Sequence, residues 1–311
     1  MENPHRKKVR LAVYLVIVLL SVSCRTLSPL TVAPETSPQK FGSLEEILPR
    51  WQPFAENISP GIDYFEGSIR KPRLRFWALR VDLTEPALRI VVNGKESAGN
   101  ADGIIPSTKV SSFVRRYDCL AGINTNPFDP VSGKEGEART VIGINVSEGK
   151  VTALPVPRYD GLVFYTDGKA AIVSQAELPD MENSAGNIRN AVGGFHRVLQ
   201  DGAVSEAVYA RGNARHPRSA AGLSSDGQIL YLLAIDGRRL GSRGAVEAEI
   251  GIILQKLGAD DGLNLDGGGS TALALKYPDG KVRVVNTPIH QGIPGWERAV
   301  AACLGIAPNA E

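Results

Sequence analysis

Cysteine and histidine are scarce in this chain, and their scarcity removes whole classes of chemistry. Three cysteines among 311 residues cannot make a disulfide framework. Beyond the N-terminal segment the histidines are His196, His216 and His290, widely separated, with no His-Glu-x-x-His and no cysteine pair, which disfavours a zinc hydrolase. No Gly-x-x-x-x-Gly-Lys-Ser/Thr occurs, which argues against a phosphate-binding loop of the NTPase kind. Gly268-Gly269-Ser270-Thr271-Ala272 lacks the final glycine of a nucleophile elbow, so a Ser–His–acid triad is weakly supported. There is no basic stripe interleaved with aromatics, and nucleic acid is not an expected partner.

What is present reads as a folded, exported protein. A basic start (Arg6, Lys7, Lys8, Arg10) precedes an apolar run from Leu11 to Leu20 that is short for a bilayer span and suits a secretory signal. Leu20-Ser21-Val22-Ser23-Cys24 resembles a bacterial lipoprotein cleavage site, with Cys24 as the lipidated residue, although Ser21 stands where Leu is commoner; the alternative is an ordinary signal peptide with an incidental Cys. The expected organisation is a signal peptide over 1–23, a Pro/Ser/Thr-rich tether over 24–42, and one domain over 43–311. The expected location is extracytoplasmic, anchored to a membrane by lipid. Of the formal net charge of +2, the first 23 residues carry +3, which leaves the rest near −1.

The body alternates short apolar runs with Asp-Gly pairs at 167–168, 201–202, 226–227 and 279–280, the signature of hairpins. Leu79 to Val92 reads as strand broken at Glu85-Pro86, and Val110 to Tyr117 as a helix. Pro179 to Asn190 is polar and reads as a loop. Cys119 and Cys303 sit among apolar residues, most simply as strand cysteines in the core; export also permits a bond between them. The expected fold class is α+β: a mixed, strand-rich sheet with a few packed helices in a single domain.

One stretch is more informative than the rest. Gly262-Leu263-Asn264-Leu265-Asp266 leads into Gly267-Gly268-Gly269-Ser270-Thr271. Consecutive glycines are a costly way to build regular structure and make sense where the backbone turns sharply or another group comes close. Upstream, Gln228 to Ile235 is an apolar run ending at Asp236-Gly237. A helix follows from about Ala245 to Leu257, with Val246, Ile250, Ile253, Leu254 and Leu257 on one face and Glu247 and Glu249 near its positive end. The unit is strand–helix–strand with an Asp closing each strand, so Asp236 and Asp266 are expected to face one crevice.

These residues resemble a known family, the phosphodiester glycosidases related to the enzyme that uncovers mannose 6-phosphate by removing N-acetylglucosamine. The resemblance runs from about Leu79 to Ile306. It is carried in order by Gly122-Ile123-Asn124, His216-Pro217-Arg218-Ser219, Asp236-Gly237-Arg238, Asn264 to Thr271, and Glu297-Arg298. Thr125-Asn126-Pro127 replaces the family's glycine pair and its surroundings after Asn124, and Ser219 stands for the usual Thr.

The resemblance implies a hydrolase that cleaves the glycosidic C–O bond of a sugar-1-phosphodiester, with a carbohydrate phosphodiester as substrate. A leaving phosphate departs as an anion of low basicity and calls for cationic donors more than for an acid. Asp266 is then the expected base or nucleophile, Asp236 its orienting partner or a sugar-hydroxyl ligand, and Arg218 the phosphate grip. Arg298 is a second clamp or the partner of a site carboxylate, Asn124 hydrogen-bonds the sugar, and the Gly267, Gly268 and Gly269 amides form an anion nest, with Ser270, Thr271 and His216 beside them. No cofactor is called for, although clustered Asn and Asp oxygens would suit Ca²⁺ or Mg²⁺. Two other readings stay open on sequence: a non-catalytic glycan-binding lipoprotein, and a phosphodiesterase that breaks P–O.

Overall fold

A computed structural model describes residues 44, 47, 49–54, 60–94, 101–131, 134–179, 181 and 184–309. The expected leader, the tether and Cys24 lie outside them.

Three antiparallel sheets carry the architecture. The largest has eight strands, in spatial order Gln52–Pro53, Ile62–Ile69, Leu74–Asp82, Ile229–Ile235, Arg218–Leu223, Asp261–Asn264, Arg197–Gln200 and Ala203–Val204. A second runs Val282–Val284, Leu273–Lys276, Ala121–Asn124, Cys303–Pro308 and Leu88–Val92. The third is built on Asp160–Tyr165 and Ile188–Gly193. Period-two alternation explains the stacking. Trp77, Leu79, Val81, Leu230 and Leu232 face a core shared with Ile123, Leu273, Leu275, Leu304 and Ile306 of the second sheet. Phe76, Ala78, Tyr231, Leu233 and Ile235 point the other way, under a helix.

Helix α1 (Val110–Arg116) covers the outer face of the second sheet through Val110, Phe113 and Val114. Helix α2 (Glu247–Leu257) covers the outer face of the large sheet. Its Ile250, Ile253, Leu254 and Leu257 are buried, each stabilising by about 1.5–3 kcal/mol. Gly258 ends it in the left-handed conformation, and Glu249 accepts from Val246 N at its start and from both arms of Arg215. The molecule is therefore α+β.

All four Asp-Gly pairs turn hairpins between adjacent strands. Asp167, Asp226 and Asp279 each accept from the amide two residues on, which fixes the turn locally. The strand–helix–strand unit needs one correction. Ile229–Ile235 and Asp261–Asn264 run in the same direction but do not pair: Arg218–Leu223 lies between them, antiparallel to both. The expected loop over 179–190 gives way to a strand from Ile188. Cys119 and Cys303 are buried and unbridged, Cys119 just ahead of a strand and not in one; burial pushes the Cys119 thiol up to about 12.

Candidate active site

The antiparallel order brings three motifs to one end of the large sheet. Arg218 starts the strand whose two neighbours end near Asp236 and Asp266, so all three arrive together. The second sheet is stitched to the same place. Asp266 N donates to Thr125 O at 2.7 Å, and Leu265 N to Ser219 O at 3.0 Å. Asn124 Nδ2 donates to Asp266 O, while its Oδ1 accepts from Ser219 Oγ (2.7 Å) and Ala272 N (3.1 Å). Asn124 is 1% exposed, so it holds the Asp266 turn from below and is not placed to meet a sugar. Thr125 and Asn126 also fold inward; Asn126 donates to Ile144 O and accepts from Gly193 N, joining the third sheet.

The glycine turn makes room for cations. Gly268 has φ +62°, and a Cβ on Gly269 would lie 2.3 Å from Arg298 Nη2. The bare backbone at 269 is what lets a guanidinium lie against it. The turn is not the open anion nest expected: Gly268 N donates to Pro217 O at 2.8 Å, and Gly267 N is engaged by the Asp266 carboxylate.

Two carboxyl groups share this end and are driven apart in acidity. Asp266 is raised to about 6, because burial outweighs the bond from Ser270 Oγ, the charge of Arg298 and the Gly267 amide. Glu247, at the first turn of α2, behaves oppposite in net effect. Burial pushes it up, yet the His196 hydrogen bond and the charges of His196, Arg218 and Arg211 hold it below the usual carboxylate range. His196 Nε2 meets Glu247 Oε2, and Asn264 Nδ2 stands 3.5 Å from Glu247 Oε1.

Each acid has guanidinium neighbours, Arg298 beside Asp266 and Arg218 and Arg211 beside Glu247. Arg298 donates Nε to His290 Nδ1 (3.0 Å) and Nη1 to Ser270 Oγ (3.1 Å). Arg238 is exposed, stands 3.3 Å from His216 Nδ1, and would sit 3.3 Å from a Cβ on Gly268. Arg218 is directed elsewhere than expected. Its Nε donates to Ala245 O at 3.1 Å, its Nη1 lies 3.6 Å from Glu247 Oε1, and its side chain is 13% exposed. It braces Glu247 while its stem lies against Gly267, and Arg238 and Arg298 border the turn at Gly268 and Gly269. Burial, then the charges of Arg218 and Arg238, lower the His216 pKa, so its ring is neutral at pH 7.

Asp236 also departs from its expected role. It is 0% exposed; Oδ1 accepts from Thr287 N at 2.8 Å and from Asn286 Nδ2, and Oδ2 lies 3.1 Å from Arg239. Asn286 in turn donates to Thr271 O and accepts from Leu273 N. Asp236 thus fixes the far side of the Asp266 turn without touching its carboxyl. Thr271 and Ser270 are buried, and Glu297 accepts from Ser111 N and Oγ at the start of α1.

Glu247, His196, Arg238 and His290 escape a sequence reading. On sequence Glu247 is explained by the helix dipole alone, and His196 and His290 gain their partners Glu247 and Arg298 only when the chain folds. The one signal for Arg238 is its place in the Asp-Gly-Arg block. Among the described residues no group of three or more His, Cys, Asp or Glu is arranged to hold a metal. The guanidinium neighbours of the two acids do not suit Ca²⁺ or Mg²⁺.

A family model described as phosphodiester glycosidase matches residues 117–307. That is more than half of the chain, and the chain belongs to this family, whose members are hydrolases of the glycosidase type. An SPbeta prophage-derived uncharacterized protein, YomE, of Bacillus subtilis strain 168 is 29% identical over 206 residues, covering 64% of this chain and 29% of that one. The chain therefore spans under a third of the length of this relative. The catalytic domain of zebrafish N-acetylglucosamine-1-phosphodiester alpha-N-acetylglucosaminidase, auto-inhibited by its pro-peptide, has the same fold, with a TM-score of 0.59 at 19% identity, covering 85% of this chain and 89% of that one. A putative exported protein from Burkholderia pseudomallei K96243 aligns with a TM-score of 0.56 at 17% identity over 76% of this chain and 74% of its own.

Proposed function

We propose that the protein hydrolyses the C1–O bond of a sugar-1-phosphodiester at the Asp266–Glu247 end of the large sheet. The observation that carries this is that two carboxyls of opposite acidity lie at one end of the large sheet, Asp266 beside Arg298 and Glu247 beside Arg218, with Arg238 bordering the same glycine turn. Glu247, ionised across the neutral range, faces the positive charge that grows on C1 as the bond breaks. Arg238 and Arg298 hold the phosphate oxygens, and the electron pair of the broken bond leaves with the phosphate. Water adds to C1 and gives its proton to Asp266, whose value near 6 suits a base working close to neutrality.

Incubation with sugar-1-phosphodiesters in H₂¹⁸O tests the reading: the label is expected on the sugar C1 hydroxyl. Label in the phosphate instead would mean P–O cleavage, and binding without turnover would mean a glycan-binding protein. A base must be deprotonated to act, so kcat/KM should rise with pH through about 6 and then level. A profile that falls across that range would overturn the role of Asp266.

The same reading places the enzyme outside the cytoplasm on a lipid anchor, supported by the 1–23 leader pattern and Cys24. Cys24→Ala should move it from the membrane fraction into soluble extracytoplasmic material; continued firm membrane binding would refute the anchor.

A further inference from the structure

Beside the candidate site two surface turns present a face that the proposed chemistry does not use. One is the link 69–74, between Ile62–Ile69 and Leu74–Asp82; the other is the loop 236–244. They are joined by Arg243 N to Arg73 O (2.8 Å), Arg73 Nη1 to Leu240 O (2.8 Å) and Arg75 N to Ser242 Oγ (3.1 Å). Arg70, Lys71, Arg73, Arg239 and Arg243 line a shallow hollow of about 410 Å³ between them, with Leu240, 91% exposed, on its rim.

On this face Arg75 pairs with Glu66 and Arg239 with the buried Asp236. Arg70, Arg73, Arg238 and Arg243 form none among the described residues. So dense a positive face is unexpected on a chain whose charge beyond residue 23 is near −1. It is also continuous with the site, because Arg238 belongs to the same loop and borders both His216 and Gly268. A substrate with one phosphate would be served by Arg238 and Arg298 alone. Further cations in line with them fit further anionic groups on the same molecule.

We propose that this face is a subsite for a linear polyanion, so that the substrate is a chain carrying phosphates at repeated intervals and its flanking phosphates lie over the two turns. The inference rests on the function proposed above.

The test uses the full-length chain, fluorescently labelled linear inorganic polyphosphate as probe, and a small sugar-1-phosphodiester as reporter of turnover. The wild type should bind the probe with an affinity that falls steeply as salt rises, and unlabelled polyphosphate should inhibit turnover. Arg70→Ser, Arg73→Ser and Arg243→Ser combined should weaken binding by about tenfold or more, flatten its salt dependence and relieve the inhibition, while turnover of the small reporter stays within about twofold. Unchanged probe binding in the triple variant would overturn the subsite. So would flotation with phosphatidylglycerol vesicles, but not with phosphatidylcholine ones, that is lost in both Leu240→Ser and the triple variant while polyphosphate is not bound: the face would then be a membrane dock. If the wild type binds polyphosphate through these arginines yet hydrolyses no sugar-1-phosphodiester, the polyanion site stands and the glycosidase reading falls.

Discussion

Two Asp-Gly segments leave the same end of the large sheet, and the fold treats them in opposite ways. Asp236 turns inward, where the Thr287 amide, Asn286 and Arg239 surround it. Asp266 turns toward the surface over a glycine turn, held by Ser270 and the Gly267 amide and faced by Arg298. Both carboxyls are raised by burial. Asp236 is hydrogen-bonded at Oδ1 and ion-paired with Arg239 at Oδ2, and serves as a strut. Asp266 keeps a face toward the cationic crevice and so can exchange a proton with something outside the protein. The chemistry of a carboxyl here depends on who satisfies it, not on the dipeptide it belongs to.

The contrast breaks most readily at Asp266. Asp266→Asn keeps the shape and the bond to Ser270 but cannot take a proton. Turnover should fall by three or more powers of ten with the melting temperature intact, read from kinetics beside calorimetry. Near wild-type turnover in that variant would remove Asp266 from the mechanism.

Asp236→Ala should act the other way round. It leaves Arg239 and the Thr287 amide without their partner, and the cost should be about 3 kcal/mol, measured by denaturant unfolding. Whatever folded protein remains should keep the pH profile expected of the wild type. A profile displaced together with preserved stability would mean that Asp236 couples to the reacting groups after all.

Gly269→Ala probes the crevice between them. A Cβ 2.3 Å from Arg298 Nη2 forces the guanidinium off the turn. The expected effect is a KM for phosphodiesters raised by about tenfold, with a much smaller change for a sugar bearing a neutral leaving group. Equal changes for both would show that Arg298 supports the turn and does not hold phosphate.

Much of the framework was legible in the sequence because it is decided locally. Each Asp-Gly turn carries its own glycine at positive φ, and three of the four also carry their own acceptor within two residues, so the hairpins at 167–168, 201–202, 226–227 and 279–280 could be placed without knowing what they pack against. The α2 face, the buried run ending at Ile235 and the glycine turn after Asp266 are likewise patterns of near neighbours. The site is a different matter. Glu247 and His196 are 51 residues apart, Asn124 and Asp266 142 apart, and Ser111 and Glu297 186 apart. The direction in which a carboxyl leans, the proton it holds and whether Arg218 grips a substrate or braces Glu247 depend on burial and on charges brought in from distant segments. Electrostatic energy is set by distance through space and by loss of water, and neither exists until the sheets have closed on one another.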